Sequence, residues 1–528
     1  MTSPLLALFS RSLREDTRAK STYWARGAVA AFVLLIMLSI AATSRSQGAP
    51  GLIFFGAVIS LQVICITLVG LSFFASAITE EKEEETLGLL RMTNLNPLSI
   101  LLGKSTSRLC GALLLLVVLL PFTLLAITLG GVSLAQIVAA YCTLGAYTFF
   151  LCNLALLWSV LAANTARAAL LTIASLVFIF TSGHLLGTLH SAFLKYRWMT
   201  AGSGLDRVTE AAAGMAAAIS PVGRLTVILS TGFSAAPAGW QVWSNLALGI
   251  ACFLIAWAAF TRCADRASDG TTAASPRRRV LGLRLRRPPR PWKNALAWKD
   301  FYFLSGGTPG FLVRLLGYGV PTVWMIVNTT PKWANQTWEV PMVRGLASFA
   351  IVVELAVVAS RVFRTELSAQ TWSSLALIPM TVRQIARRKL LGCLLATVPS
   401  AVTMVIATGL NVIFLAGQNR AFSTGVLAST ISGWILALFA LHLIAFLSLL
   451  MKRGALALGF VIAYASATMI QILSMPLIFA GTGFGGSSGN LTARIMIGPI
   501  VSSVIYAAAV FFLYRAILQR LETAAAES

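Results

Sequence analysis

Glu80, Glu81, Glu83, Glu84 and Glu85 fill five of six consecutive positions. Clustered carboxylates can ligate a metal, act as general acid and base, or offer a docking surface to a basic partner. The first two uses need companion residues. The chain has only three histidines, His184, His190 and His442, and the first two lie six residues apart. That spacing does not put them on one face of a helix. Gly103-Lys104-Ser105 looks like the end of a phosphate-binding loop, but position 98, where the pattern needs glycine, is Leu98. No Cys-x-x-Cys pair exists, and most cysteines fall in or beside apolar runs, where they act as small packing residues. Docking is the chemistry that fits the acidic cluster.

The composition sets where such a cluster can sit. Of the 528 residues, 57% are hydrophobic and 11% charged, against about 25% charged in a soluble protein, and the mean hydropathy is +0.82. Such a chain cannot clothe a globular surface in polar groups. A soluble enzyme, a disordered chain and a disulfide scaffold are excluded. What remains is an all-α polytopic membrane protein, because lipid offers backbone groups no water. The net charge of +24 then concerns topology and not nucleic acid.

Runs long enough to cross about 30 Å of hydrocarbon occur at 27–43, 51–78, 109–129, 134–163, 168–190, 242–261, 311–328, 345–360, 390–416, 425–450, 455–480 and 495–514. The first follows five basic residues and reads as an uncleaved signal anchor. Twelve spans put both termini on one side. If that side is the cytoplasm, the inner segments hold 31 of the 41 Lys and Arg and the outer loops nine, a strong positive-inside asymmetry. Both termini are therefore expected inside a plasma (inner) membrane. Residues 211–233, broken by Pro221 and Gly223, suit a re-entrant hairpin on the outer side. Two charges fall within spans. Arg314 is expected to snorkel to the inner interface. Glu354 is open to three uses: pairing with Arg314, proton coupling or substrate contact.

Residues 262–300 hold eleven basic residues with Pro276, Pro288, Pro289 and Pro291. This stretch is too polar to span. It reads as a cytoplasmic linker, suited to anionic lipid headgroups or simply to setting topology. It separates residues 1–261 from 301–528, each with six expected spans. An offset of 285 carries Leu13-Arg14-Glu15 onto Trp298-Lys299-Asp300, Glu81 onto Glu366, Thr86 onto Thr371, Leu90 onto Leu375 and Lys104 onto Lys389. Six spans per half make the repeat parallel.

The acidic loop reads EEKEEETLGLLRMTNLNPLSILLGK over 80–104: acids, a short Leu-rich stretch, a break at Asn94, Asn96 and Pro97, and a new helical start. Its second-half counterpart reads RTELSAQTWSSLALIPMTVRQIARRK over 364–389, with Pro379 as its break. This arrangement resembles the ABC type-2 permease family, the membrane subunits of ATP-driven exporters. Glu81 to Glu85, Thr86, Leu89-Leu90, Pro97-Leu98-Ser99 and Gly103-Lys104 follow the family's pattern, and the polar helix at 8–24 is similar to its elbow helix. The resemblance implies that Glu80, Glu81, Glu83, Glu84, Glu85, Thr86, Leu89, Leu90, Pro97 and Lys104 form an ATPase-coupling loop. Glu366, Thr371, Leu375, Pro379 and Lys389 are its acid-poor equivalent.

The expected function is thus the permease subunit of an exporter, with two six-span halves fused in one chain. The chain itself would be no enzyme and would bind no cofactor directly. ATP and Mg would sit on separate ATP-binding-cassette subunits, two copies per complex. The alternatives are an ion-coupled secondary transporter using Glu354, or a membrane-embedded enzyme or assembly scaffold.

Overall fold

The computed structural model describes residues 50–83, 86, 96–162, 165–200, 202–268, 279–280, 283–284, 290–303, 306–329, 351–368, 370–416, 420–451, 455–480 and 489–526, with single positions between 27 and 37. Helix follows helix along the chain. The strands among the described residues are the two-residue pieces Arg279–Val280 and Leu283–Arg284, paired antiparallel in the linker. The protein is an all-α polytopic membrane protein. Six described helices are long and apolar enough to span, or up to nine if each of three bent pairs crosses once. Part of the twelve expected runs, among them most of 27–43 and the first six residues of 345–360, lies outside the described residues.

In the first half, α1 (Pro50–Val69) widens into a π-turn at Gly70–Phe74, and α2 (Thr79–Glu83) follows it. A Cβ at Gly70 would strike Leu151, so glycine lets the turn lie against the long helix α4. Helix α3 (Pro97–Thr128) starts where the sequence breaks: Asn96 caps it, its Oδ1 accepting from Leu98 N at 3.2 Å, and Pro97 takes the first-turn position that lacks no needed donor. Gly130 and Gly131, both at positive φ, turn the chain into α4 (Leu134–Leu161). A capping box opens α4, with Ser133 N donating to Gln136 Oε1 at 2.8 Å and Gln136 N to Ser133 Oγ at 3.3 Å. Helix α4 is apolar all round and mostly buried, the pattern of a central helix. It packs along α8 (Trp240–Ser268), with α5 (Thr165–Lys195) beside it. Between α5 and α8, α6 (Gly204–Ile219) and α7 (Pro221–Ile228) meet at 79°. Ser220 is extended before Pro221, as the proline ring demands, and the bend suits the expected hairpin.

The second half runs through α9 (Ala295–Phe303), α10 (Gly307–Thr329), α11 (351–359), the short α12 (Arg364–Ser368) and α13 (Trp372–Ala376), and α14 (Val382–Ala396). Helix α14 bends by 57° into α15 (Val398–Ala416). A bundle of α16 (Arg420–Leu450), α17 (Ala455–Ala480) and α18 (Gly489–Ala526) closes the chain. The halves touch where α1 meets α17 and where α5 meets α10. One apolar core, running from Phe54 and Tyr147 to Phe363 and Ile517, continues across both.

Candidate functional site

The loop after α1 is built as a bracket. Lys104, on the first turns of α3, donates to Glu81 Oε1 at 2.6 Å. Thr86 Oγ1 donates to Glu81 Oε2, and Thr86 N donates to Glu81 O at 3.0 Å. Helix α2 thus ends in a turn closed by its own glutamate and pinned to the next span. Burial raises the Glu81 carboxyl, but hydrogen bonds from Lys104 and Thr86 outweigh it and hold the group below its ordinary range.

The neighbouring charges finish the same task. Arg108, one turn beyond Lys104, donates to Glu80 Oε2 at 3.2 Å, to Ser76 Oγ at 2.7 Å and to Phe73 O, a carbonyl of the π-turn. Lys82 Nζ donates to the carbonyls of Ser159, Val160 and Ala162 at 3.1, 2.6 and 2.9 Å, so a cation closes the C-terminus of α4. Glu83 Oε1 accepts from Thr165 N at 2.7 Å and Thr165 Oγ1 at 2.9 Å, so an anion caps the N-terminus of α5. Consecutive residues of opposite sign therefore hold the end of α4 and the start of α5. Three acids expected to face a partner, Glu80, Glu81 and Glu83, are bonded within the chain. Glu84, Glu85, Leu89 and Leu90 lie outside the described residues.

The second half repeats the bracket. Lys389 Nζ on α14 donates to Glu366 Oε1 at 3.0 Å, Thr371 Oγ1 donates to Glu366 Oε2, and Thr371 N donates to Glu366 O at 2.9 Å. The three positions are those that the offset of 285 relates to Glu81, Thr86 and Lys104. Two further groups join here. Lys389 also donates to both oxygens of Asp300 at 3.1 Å, and Lys299 donates to Glu366 Oε1 at 2.8 Å. Helix α9 reaches this place because Gly392 lets it close on α14, where a Cβ would meet Asp300 Cβ at 3.0 Å. Lys389 is 0% exposed. Burial pushes the Asp300 carboxyl up to about 6 in spite of Lys389. Glu366 is also raised by burial, but Lys389, Lys299 and Thr371 together pull it down to about 2. Leu375 is buried, as a helix face laid on the bundle requires, while Pro379 stands in the turn before α14.

A third polar cluster has no offset-related partner. Glu354 on α11 is 0% exposed, accepts from Tyr318 OH at 2.9 Å and from Ser400 Oγ at 2.8 Å, and lies 3.6 Å from Arg314 Nη1. The expectation that Arg314 snorkels is wrong. The guanidinium is buried and donates to Gly310 O and Ala396 O, both at 3.0 Å. Ala396 lies at the α14–α15 bend, so a carbonyl at a helix end and a buried carboxylate together hold the cation inside. Positions 29, 33, 69 and 115, which the offset relates to Arg314, Tyr318, Glu354 and Ser400, are Val29, Val33, Val69 and Leu115.

Sequence reasoning placed Glu81, Thr86, Lys104 and their counterparts together. It missed the roles of Lys82 and Arg108. It noted Lys299 and Asp300 only as part of a matched triplet, although that match was a signal that they belong with Lys389. Nothing in the sequence marked Tyr318 or Ser400.

Residues 310–468 match the family described as ABC-2 family transporter protein, which covers α10 to the middle of α17 and includes the Glu366 bracket and the Glu354 cluster. The segment is similar to that family, in line with the resemblance drawn from the acidic loop, which itself lies outside the matched residues. Its apolar helices make the chain an integral membrane protein, and the match supports a transport role in general. No curated protein matches the chain.

Proposed function

We propose that the protein is the permease subunit of an ABC-type exporter in the plasma (inner) membrane, with both termini cytoplasmic. Separate ATP-binding-cassette subunits, two copies per complex, hold ATP and Mg and supply the hydrolysis. One chain contributes both six-span halves, and the basic linker lies on anionic lipid. The observation that carries this reading is the Glu-Thr-Lys bracket, made twice with the same hydrogen bonds at a constant offset of 285. A segment pinned at both ends to spans is stiff enough to pass a push from a docked subunit into the bundle. Residues 80–104 would be the main docking loop. Because Glu80, Glu81 and Glu83 already hold the loop together, the charges left to meet a basic groove are Glu84 and Glu85, with Leu89 and Leu90 as the apolar contact. The secondary-transporter reading rests on Glu354, and both of its oxygens already accept hydrogen bonds.

Co-purification with the ATPase and ATP hydrolysis by the complex test this. Glu84→Lys with Glu85→Lys should cut ATPase recovery at least several-fold, whereas charge reversal at Arg383 or Arg387 in the second half should not. Normal binding and full activity of the double-Lys variant would remove the docking assignment. Gradient-driven transport with no ATPase at all would remove the exporter reading.

A further inference from the structure

We propose that Glu83 and Arg361 form a pairing lock: an ion pair between the two halves that favours union of unlike halves within one chain over union of like halves from two chains. The proposal uses the two-half reading but not the ATPase partner, so the two stand or fall separately.

Arg361 Nη1 lies 3.8 Å from Glu83 Oε1. Glu83 belongs to the loop of the first half and Arg361 to the end of α11 in the second. The carboxylate is already fixed in place by Thr165, so it presents a preset anion to whatever approaches from the other half. Arg361 follows Val358 and precedes Val362 and Phe363, all buried. The Arg361 side chain is itself 21% exposed and that of Glu83 41%, so the contact is partly screened, but a cation with apolar neighbours on one side is still best placed opposite an anion.

The offset of 285 explains why that charge comes from the other half. In the first half Arg108 reaches across to Glu80 and Ser76. The related positions in the second half are Cys393, Thr365 and Arg361. The basic residue has moved from the third span to the end of the second, and the acid that would face it has become Thr365. The position related to Glu83 is Ser368. The second half therefore carries a surplus cation, and the first half carries a surplus anion whose ion pair among the described residues is with Arg361. Two first halves would set Glu83 against Ser76. Two second halves would set Arg361 against Ser368. Unlike halves alone give opposite charges, so the contact discriminates among pairings as well as contributing to one.

Cross-linking the full-length chain in membranes tests it. On a background without native cysteines, Glu83→Cys and Arg361→Cys in one chain should be joined by a short bis-maleimide as a faster-migrating monomer. Two differently tagged chains, each with one of the cysteines, should give no dimer. A dimer at comparable yield, or no reaction within one chain, overturns the lock. A double-mutant cycle in nanodiscs is the second arm. Gln at position 83 keeps an acceptor for Thr165 while losing the charge. Glu83→Gln and Arg361→Gln should each lower the unfolding midpoint, and the double variant should be no worse than the more damaging single one. Strict additivity of the two shifts would mean that the side chains do not interact.

Discussion

The two brackets share a turn and a lysine but not an environment. Lys104 is a quarter exposed and meets one carboxylate, whereas Lys389 is fully enclosed and meets two. The first bracket gains its rigidity from neighbours. Arg108 secures the π-turn, and Lys82 and Glu83 hold the end of α4 and the start of α5. The second has lost those neighbours and gains instead a helix, α9, drawn in through Asp300 and Lys299. One local device is thus embedded in two ways: near the surface with many modest ties, or deep with a few costly ones. The half with the surface-tied bracket also carries Glu84 and Glu85 in its sequence, the acids proposed for docking. The half with the buried bracket carries the buried Glu354–Arg314 pair.

The largest expected effect comes from breaking the buried bracket. Lys389→Met leaves Asp300 and Glu366 facing each other with only the half-exposed Lys299 between them and solvent. Removing one member of a buried charged set costs about 3–5 kcal/mol. The unfolding midpoint of the variant in nanodiscs should fall sharply and expression with it. A variant as stable as the parent would mean that α9 is not held to α14 by this lysine.

The pH dependence sharpens the same contrast. Asp300 is raised to about 6 in the folded protein, so its contribution is complete below its ordinary value and is lost as the pH rises through about 6. Glu366, lowered to about 2, works in the opposite sense: its contribution is present above the ordinary value of 4.5 and is lost as the pH falls towards 2. The second bracket is therefore strongest near pH 4, between the ordinary values of 3.8 and 4.5, and weakens from there up to about pH 6. Raising the pH from 5 to 7.5 crosses about one unit of that shift and should destabilise the protein by roughly 1.4 kcal/mol. Asp300→Asn should flatten that limb of the midpoint-against-pH curve. An unchanged slope in the variant would place the titration elsewhere.

Much of this was legible in the residues because it depends on order and spacing. The helical class follows from hydropathy. The start of α3 follows from Asn96-Pro97, and the bend before α7 from Ser220-Pro221. The repeat emerged from matched positions, and the three that matter most, Glu81, Thr86 and Lys104, make the same bonds as their counterparts. What stayed hidden depends on approach between distant segments. Arg314 looked free to snorkel because nothing in its own run shows that α14 bends at Ala396 and leaves a carbonyl within reach. The acids of the loop looked like a single docking surface because sequence proximity does not show that Lys82 closes the end of α4 while Glu83 caps the start of α5.

The smallest effect is expected at Lys104, and it is the sharpest check on the comparison. Lys104→Met removes the same chemical group as Lys389→Met, from the same position in the same local turn. Glu81 would keep the hydroxyl of Thr86 and would gain water, since the site is open at its edge. Arg108 would remain one turn away, held by Glu80 and the π-turn. A partly exposed pair of this kind contributes about 1 kcal/mol or less. The midpoint of Lys104→Met should therefore shift only a fraction as far as that of Lys389→Met, and the protein should still fold and purify. Its coupling should suffer more than its stability, because the loop would lose its tie to α3 while the bundle stays intact. Measured together, the two lysine variants separate burial from local geometry. Equal losses of stability would show that the turn itself, and not its depth, sets the strength of both brackets.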